Sequence, residues 1–282
     1  MELPKFSEAL NGKVIAITGA GGVLCGMMAV ELAKTGAKIA LLDLAFEKAA
    51  ANAETIRKAG GEAKAYTCNV LEKESIKAAH QAVLKDFGKI DILINGAGGN
   101  NPKATTDDEF FSPKDVGEMK TFFDLDASGV NFVFSLNYMG TLLPTQEFVT
   151  DMIGKQGCSI INISSMNAFT PLTKIPAYSG AKAAVSNLTA WLATHFSKVG
   201  IRCNAIAPGF FVTAQNQKLL YNDDGTPTER TAKILRNTPM DRFGKPEELL
   251  GAIIFLASSE ASGFVNGVVL PIDGGFNAYS GV

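Results

Sequence analysis

Short contiguous apolar runs rich in Val and Ile recur along the chain, at 13–18, 38–43, 63–67, 90–95, 157–163, 200–206 and 267–272. Between most of them lie longer stretches with helical periodicity. Residues 23–35 and 46–59 are the clearest. Ala, Leu, Lys and Glu dominate there, and each stretch is followed by a glycine (Gly36, Gly60) of the kind that ends helices. Apolar runs without alternation predict strands covered on both faces. Strand–helix–strand repetition then predicts a doubly wound parallel α/β sheet with right-handed crossovers. The spacing is read as a single domain over 1–282, whose ligands bind beyond the carboxyl ends of the strands.

Two stretches interrupt the alternation. Residues 99–124 hold Asn100-Asn101-Pro102, Asp107-Asp108-Glu109 and Ser112-Pro113, and residues 210–240 hold Asn222-Asp223-Asp224-Gly225 and two prolines. Loops of this length are commonly functional. Both follow predicted strands, taken to be adjacent, so both are expected to be substrate loops at the ligand edge. The Asn222–Gly225 stretch favours an exposed, mobile turn.

Of the 282 residues, 46% are hydrophobic and 19% charged, which excludes a disordered chain. With 26 basic and 28 acidic residues the net charge is -2, so no global charge favours nucleic acid or anionic membrane. Cys25, Cys68, Cys158 and Cys203 form no close pair, and His80 and His195 are the only histidines. Neither a disulfide scaffold nor a metal centre is expected. The start, Met1-Glu2-Leu3-Pro4-Lys5, lacks the pattern of a signal peptide, and no run reaches the ~18 apolar residues of a membrane span. A cytoplasmic protein is expected.

The first predicted strand runs into Gly19-Ala20-Gly21-Gly22, with a helix at once behind it. Glycines there let backbone approach a pyrophosphate, whose charge the helix N-terminus favours. The expected contacts are Gly19, Gly21, Gly22, Val23 and Leu24. The second strand ends at Asp43, placed to accept from ribose hydroxyls and to repel a 2′-phosphate. Leu42 and Leu44 beside it supply no cation, so NAD is preferred to NADP. A capping role for Asp43 on the next helix is the alternative.

Farther on, Tyr178 and Lys182 stand at i and i+4, on one helical face, and Ser165 follows the strand Ile160–Ile163. These residues, with Asn95-Gly96-Ala97-Gly98, Asn137, Pro208-Gly209, Thr213 and Asp273-Gly274-Gly275 in order, resemble the short-chain dehydrogenase/reductase family. The resemblance covers nearly the whole chain and implies a Rossmann-type fold, NAD(P)-dependent interconversion of a secondary alcohol and a ketone, and a homotetramer. It makes Asn137, Ser165, Tyr178 and Lys182 catalytic, with Asn137 holding a relay water. Asn69, Val70, Asn95, Gly96, Ala97, Tyr178, Lys182, Pro208, Gly209 and Thr213 join the cofactor contacts. The chemistry supports those roles. Tyrosine ionises near pH 10, and a neighbouring ammonium is expected to lower that value. Ser165 can donate to the same carbonyl oxygen.

The family turn Thr-Gly-x-x-x-Gly-x-Gly reads Thr18-Gly19-Ala20-Gly21-Gly22-Val23-Leu24-Cys25, with Val23 and Cys25 in two glycine places. Cys25 is read as a small packing residue, and His195 and Trp191 as packing or surface residues. The Gly98–Asn137 gap, the stretch 98–106 and the residues 165–176 resemble the short-chain mannonate oxidoreductase (fructuronate reductase) branch. Asn100, Lys103, Asn167 and Lys174 are the expected substrate contacts, the lysines for a carboxylate. A sugar acid is thus the first expectation. A 3-oxoacyl thioester or polyol reductase, and a non-enzymatic binding protein, stay open.

Overall fold

A computed structural model of the chain describes residues 8–213 and 217–281. The amino-terminal reading and residues 214–216 of the second insertion lie outside the described residues. All seven apolar runs are strands: β1 Val14–Thr18, β2 Lys38–Asp43, β3 Glu62–Thr67, β4 Ile92–Asn95, β5 Ser159–Ile163, β6 Arg202–Pro208 and β7 Val269–Ile272. They form one parallel sheet in the order β3-β2-β1-β4-β5-β6-β7. This is the Rossmann-type doubly wound arrangement. The strand order reverses between β1 and β4, which opens a crevice at their carboxyl ends.

The described α-helices are α1 Val23–Ala33, α2 Phe46–Lys58, α3 Lys73–Phe87, α4 Ala127–Phe134, α5 Gly140–Phe148, α6 Pro176–His195, α7 Gln217–Leu220, α8 Glu229–Arg236, α9 Leu250–Ala257 and α10 Ser259–Ser262. Gly36 and Gly60 have φ of +82° and +86°, as expected of residues that end α1 and α2. Successive strand residues point to opposite faces. Ile15, Ile17, Ile39, Leu41, Ile92 and Ile94 face one core with Met28, Leu32, Ile56 and Ile253. Ala16, Ala40, Leu42, Leu93 and Ile160 face the other with Ile76, Val83, Phe148, Leu188 and Leu192. Burying each of the larger side chains contributes about 1.5–3 kcal/mol, so the covered sheet is a firm base for the loops above it.

The insertions depart from the sequence reading in two ways. They follow β4 and β6, which are not neighbours, because β5 lies between them. The residues after β5, Ser165 among them, therefore stand between the two insertions. The second is also not a plain loop. It carries α7 and α8, and Thr228 caps α8 by accepting from Thr231 N at 3.3 Å. The Asn222–Gly225 turn is exposed and closed by Gly225 N donating to Asn222 O. The first insertion is tied down by a small cluster in which Ala104 packs with Val133, Ala177 and Ala181.

Among the described residues all four cysteines are free and buried, and no group of His, Cys, Asp and Glu could hold a metal ion. No described helix is long and apolar enough to cross a membrane.

Candidate active site

The glycine turn after β1 and the Asn95–Gly98 turn after β4 flank the switch point. Thr18 Oγ1 joins them by accepting from Gly96 N at 3.1 Å and Ala97 N at 3.2 Å. Gly19 holds φ +68°, and a Cβ there would lie 2.8 Å from Ala97 N, so only glycine fits. Between the turns lies a cavity of about 350 Å³. Its walls include Gly19, Gly21, Gly22, Leu24, Asp43, Asn69, Val70, Gly96 and Ala97, all expected cofactor contacts, together with Gly98 and Leu136. The cap residue of α1, Gly22, makes no side-chain capping bond, and the first turn, which Val23 opens, has no acidic residue. Its backbone donors suit an anion, so the cradle fits the pyrophosphate and adenosine of a dinucleotide.

Asp43 is not the cap of α2. One of its oxygens accepts from Gly21 N at 2.8 Å and the other from Ala45 N at 2.7 Å. It ties the glycine turn to the end of β2 while lining the cavity. Lys48, in the first turn of α2, lines the same cavity. Leu42 and Leu44 supply no cation, as the sequence shows, yet α2 brings one to the same wall. The strand pattern reaches only the two flanking leucines, whereas the helix brings a residue five positions on back to the rim.

Asn95 does not line the cavity. Its amide donates to Thr145 Oγ1 and Asn162 Oδ1, both at 2.9 Å, inside the sheet end. Pro208 and Gly209 end β6, where Gly209 N donates to Ile272 O at 2.9 Å. Thr213 O accepts from Gln217 N at 3.1 Å, at the entrance to α7. None of these three lines the cavity beside the glycine turn.

Cys25, which stands in one of the family's glycine places, meets the turn after β4. Cys25 is buried, and a Cβ on Gly96 would collide with its Sγ. The thiol occupies volume that a larger residue at position 96 would need. Burial pushes its pKa up to about 11, in keeping with a packing residue rather than a nucleophile.

Ser165, Tyr178 and Lys182 converge at the carboxyl end of β5. Ser165 Oγ caps the short turn Met166–Ala168, accepting from Asn167 N at 3.3 Å, and its hydroxyl favours the ionised form of Tyr178. Tyr178 lies in the first turn of α6. Lys182, one turn on, is buried and donates to Ile163 O at 2.7 Å, with Nζ 5.6 Å from the Tyr178 ring centroid. Burial holds the Lys182 pKa down to about 8. It raises that of Tyr178, with the Ser165 hydroxyl acting the other way. The expected lowering at Tyr178 is thus reversed, because burial outweighs any pull from the ammonium. The phenol is thus in the protonated form that carbonyl reduction requires, although burial makes it a weaker acid.

Asn137 sits in a π-helical turn, Ser135–Met139, between α4 and α5. Its amide donates to Gly99 O at 2.7 Å and to Val133 O at 2.8 Å, while its oxygen accepts from Gly99 N at 3.2 Å. It thereby clamps the start of the first insertion. A Cβ on Gly98 would lie 2.7 Å from Asn137 Oδ1 and 3.1 Å from Lys182 Nζ, so Gly98 joins the two side chains across the site.

A second cavity, of about 340 Å³, is walled by both insertions and by residues 170–175, the loop before α6. Lys174 lines it, with φ +71°, and its carbonyl accepts from Thr106 N at 2.9 Å. The other expected substrate contacts are not in its wall. Lys103 is exposed and faces Asp126 at 3.8 Å, the acid that caps α4. Asn100 is exposed and donates to Thr105 Oγ1, itself a wall residue. Asn167 is buried, and its oxygen accepts from Leu172 N at 3.2 Å, shaping the loop from behind. Sequence reasoning missed Arg230 and Lys233 of α8, which also line the cavity. Their i, i+3 spacing was the available signal. Trp191 and His195 stack at 4.5 Å on the exposed face of α6.

A family model described as enoyl-(acyl carrier protein) reductase matches residues 24–277. An uncharacterized oxidoreductase of Haemophilus influenzae is 67% identical, covering 97% of this chain and 96% of that one. The 5-keto-D-gluconate 5-reductase of Escherichia coli is 34% identical over 95% of this chain and 96% of its own. A Haemophilus influenzae structure with bound NAD, described as a candidate D-mannonate oxidoreductase, superposes with a TM-score of 0.94. It is 66% identical and covers 97% of this chain and 98% of its own. With the sheet order and the Ser165–Tyr178–Lys182 geometry, these likenesses establish that the chain belongs to the short-chain dehydrogenase/reductase family of oxidoreductases.

Proposed function

We propose that the protein is an NAD-dependent dehydrogenase/reductase that interconverts a secondary alcohol and a ketone on a sugar acid of the mannonate type. One observation carries this reading. Gly98, against Lys182, lines the glycine-walled cavity, and the loop 170–175 that joins Ser165 to Tyr178 lines a cation-bearing one. The relatives' names support it: one is solved with NAD, and another reduces a keto sugar acid.

NAD, when bound, accepts or supplies the hydride. Gly19, Gly21, Gly22 and the first turn of α1 would hold its pyrophosphate, with Asp43 beside the adenosine ribose. Tyr178 gives its proton to the substrate oxygen in reduction and takes one in oxidation. Ser165 donates to the same oxygen and fixes it beside the phenol. Lys182, anchored on Ile163 O, presents its ammonium beneath the tyrosine. Asn137, clamped on Gly99, holds the first insertion against this group.

The walls of the second cavity also include Leu172, Phe210 and Phe276, which favours an acyl thioester as the second reading. A screen of NADH oxidation with keto sugar acids, neutral ketoses and acetoacetyl thioesters decides between them. Turnover of a keto hexonic acid well above the other two classes supports the first reading, and preference for the thioester refutes it.

The assembly is a homotetramer in this proposal. Phe132, Phe134 and Trp191 on the outer faces of α4 and α6 are exposed and suit symmetric packing. A monomeric mass at micromolar concentration would refute it. The four free, buried cysteines support a cytoplasmic location.

A further inference from the structure

The second cavity holds three cations that are not equivalent. Lys233 is neutralised twice, by Glu109 at 3.1 Å and by Glu229 at 3.2 Å. The Glu109 pair also bridges the first insertion to α8, so the wall is closed by contacts between the two insertions. Lys174 and Arg230 have no ion-pair partner among the described residues. They approach the cavity from different elements, Lys174 from the loop before α6 and Arg230 from α8. Lys174 is held there in a left-handed conformation that side chains rarely adopt.

We propose that Lys174 and Arg230 together are the anchor for the substrate carboxylate and set the preference for acids. The inference rests on the sugar-acid reading and deepens it. A guanidinium and an ammonium with no carboxylate of their own can take one from the substrate by charge-assisted bonds. Lys233 cannot, since its charge is already spent on two glutamates, and Lys103 lines no part of this wall. Ser165 and Tyr178 are likewise absent from the wall. The carboxylate is therefore bound apart from the reacting carbon. A 2-keto acid holds both groups on adjacent carbons, whereas a hexonic acid with its ketone near the far end can span both places.

The test uses the full-length enzyme with Lys174→Met, Arg230→Met and the double variant. Initial rates are measured with 5-keto and 2-keto hexonic acids and with a neutral ketose of equal length. NADH affinity is followed separately by fluorescence. Each single variant should lower kcat/KM for the 5-keto acid about tenfold or more, mainly through KM. The double variant should lose more than either. The neutral ketose and NADH affinity should be unchanged, and wild type should prefer the 5-keto over the 2-keto acid.

An acid preference that survives both substitutions overturns the anchor and leaves the sugar-acid reading standing. Equal losses for acid and neutral substrates make the two residues structural and overturn it as well. Equal use of 2-keto and 5-keto acids overturns the separation of carboxylate from reacting carbon. Wild type that reduces neutral ketoses as readily as acids overturns the sugar-acid reading, and the anchor with it.

Discussion

The contact between Cys25 and Gly96 yields a prediction whose size can be worked from the structure. A Cβ added at Gly96 would meet three atoms. It collides with Cys25 Sγ, lies 2.8 Å from Thr18 O, and lies 3.5 Å from Cys25 Cβ, an ordinary contact. Gly96→Ala should therefore cost about 1–3 kcal/mol of stability, the usual range for overpacking a tight site. It should also displace the turn that walls the cofactor cavity and weaken NADH binding. Cys25→Ala removes Sγ and keeps Cβ, so it should cost only about 1 kcal/mol. In the double variant the Sγ collision is gone, while the Thr18 contact remains in both arms of the cycle and cancels. The coupling energy should then be favourable by about 1–2 kcal/mol, within the range for residues in contact. NADH affinity should recover in step. Thermal or urea unfolding of the four proteins, with fluorescence titration of NADH, measures both. Effects that add within about 0.5 kcal/mol would show that the thiol and the glycine are not exchanging volume, and the reasoning would fail.

Tyr178→Phe keeps the ring and removes the proton donor. Turnover should fall by about 10²–10⁴ with NADH affinity unchanged, and a loss under about tenfold (~1.4 kcal/mol) would contradict the assignment. Asp43→Ala releases Gly21 N and leaves Lys48 unopposed at the rim. NAD binding should weaken while NADP binding strengthens, and parallel weakening of both would refute the charge argument. The Lys182 pKa, pressed down to about 8 by burial, fixes a pH dependence. Below that pH the ammonium is fully populated, and it is lost as pH rises through 8. Tyr178, pushed up, stays protonated over the same interval. The kcat/KM for ketone reduction, which reports the free enzyme, should therefore fall above about pH 8. A flat profile to pH 10 would mean that the charge on Lys182 is not needed.

The strands were legible because a parallel sheet covered on both sides leaves continuous apolar runs, and all seven runs became strands. Their order across the sheet was not, since pairing between parallel strands is decided by crossovers and not by local pattern. Hence the sequence suggests that the strands before the two insertions are neighbours, although β5 divides them. The second insertion looks like loop in the sequence because α8 is polar on most of its surface. Thr228 before Glu229, with Lys233 and Arg236 at the far end, carried the capping and charge signals of a helix. Those signals are weaker than apolar periodicity and were outvoted by the prolines and the Asn222–Gly225 turn.

At the site, residue identity was legible and compensation was not. Tyr178 and Lys182 had to share a helical face at four-residue spacing, and Ser165 had to follow a strand. Both are consequences of local geometry. The protonation of that pair depends on how deeply α6 is buried against β5, which no spacing encodes, and the expected lowering of the Tyr178 pKa failed for that reason. The lysines show the same division. Lys103 and Lys174 look alike in the chain. One faces Asp126, an acid placed by the start of α4, and the other has no ion-pair partner among the described residues and lines a cavity with Arg230, which lies 56 positions further on. A charge can serve a ligand only where the fold has not already paired it, so the sequence could nominate cations while only the tertiary arrangement could leave two of them free.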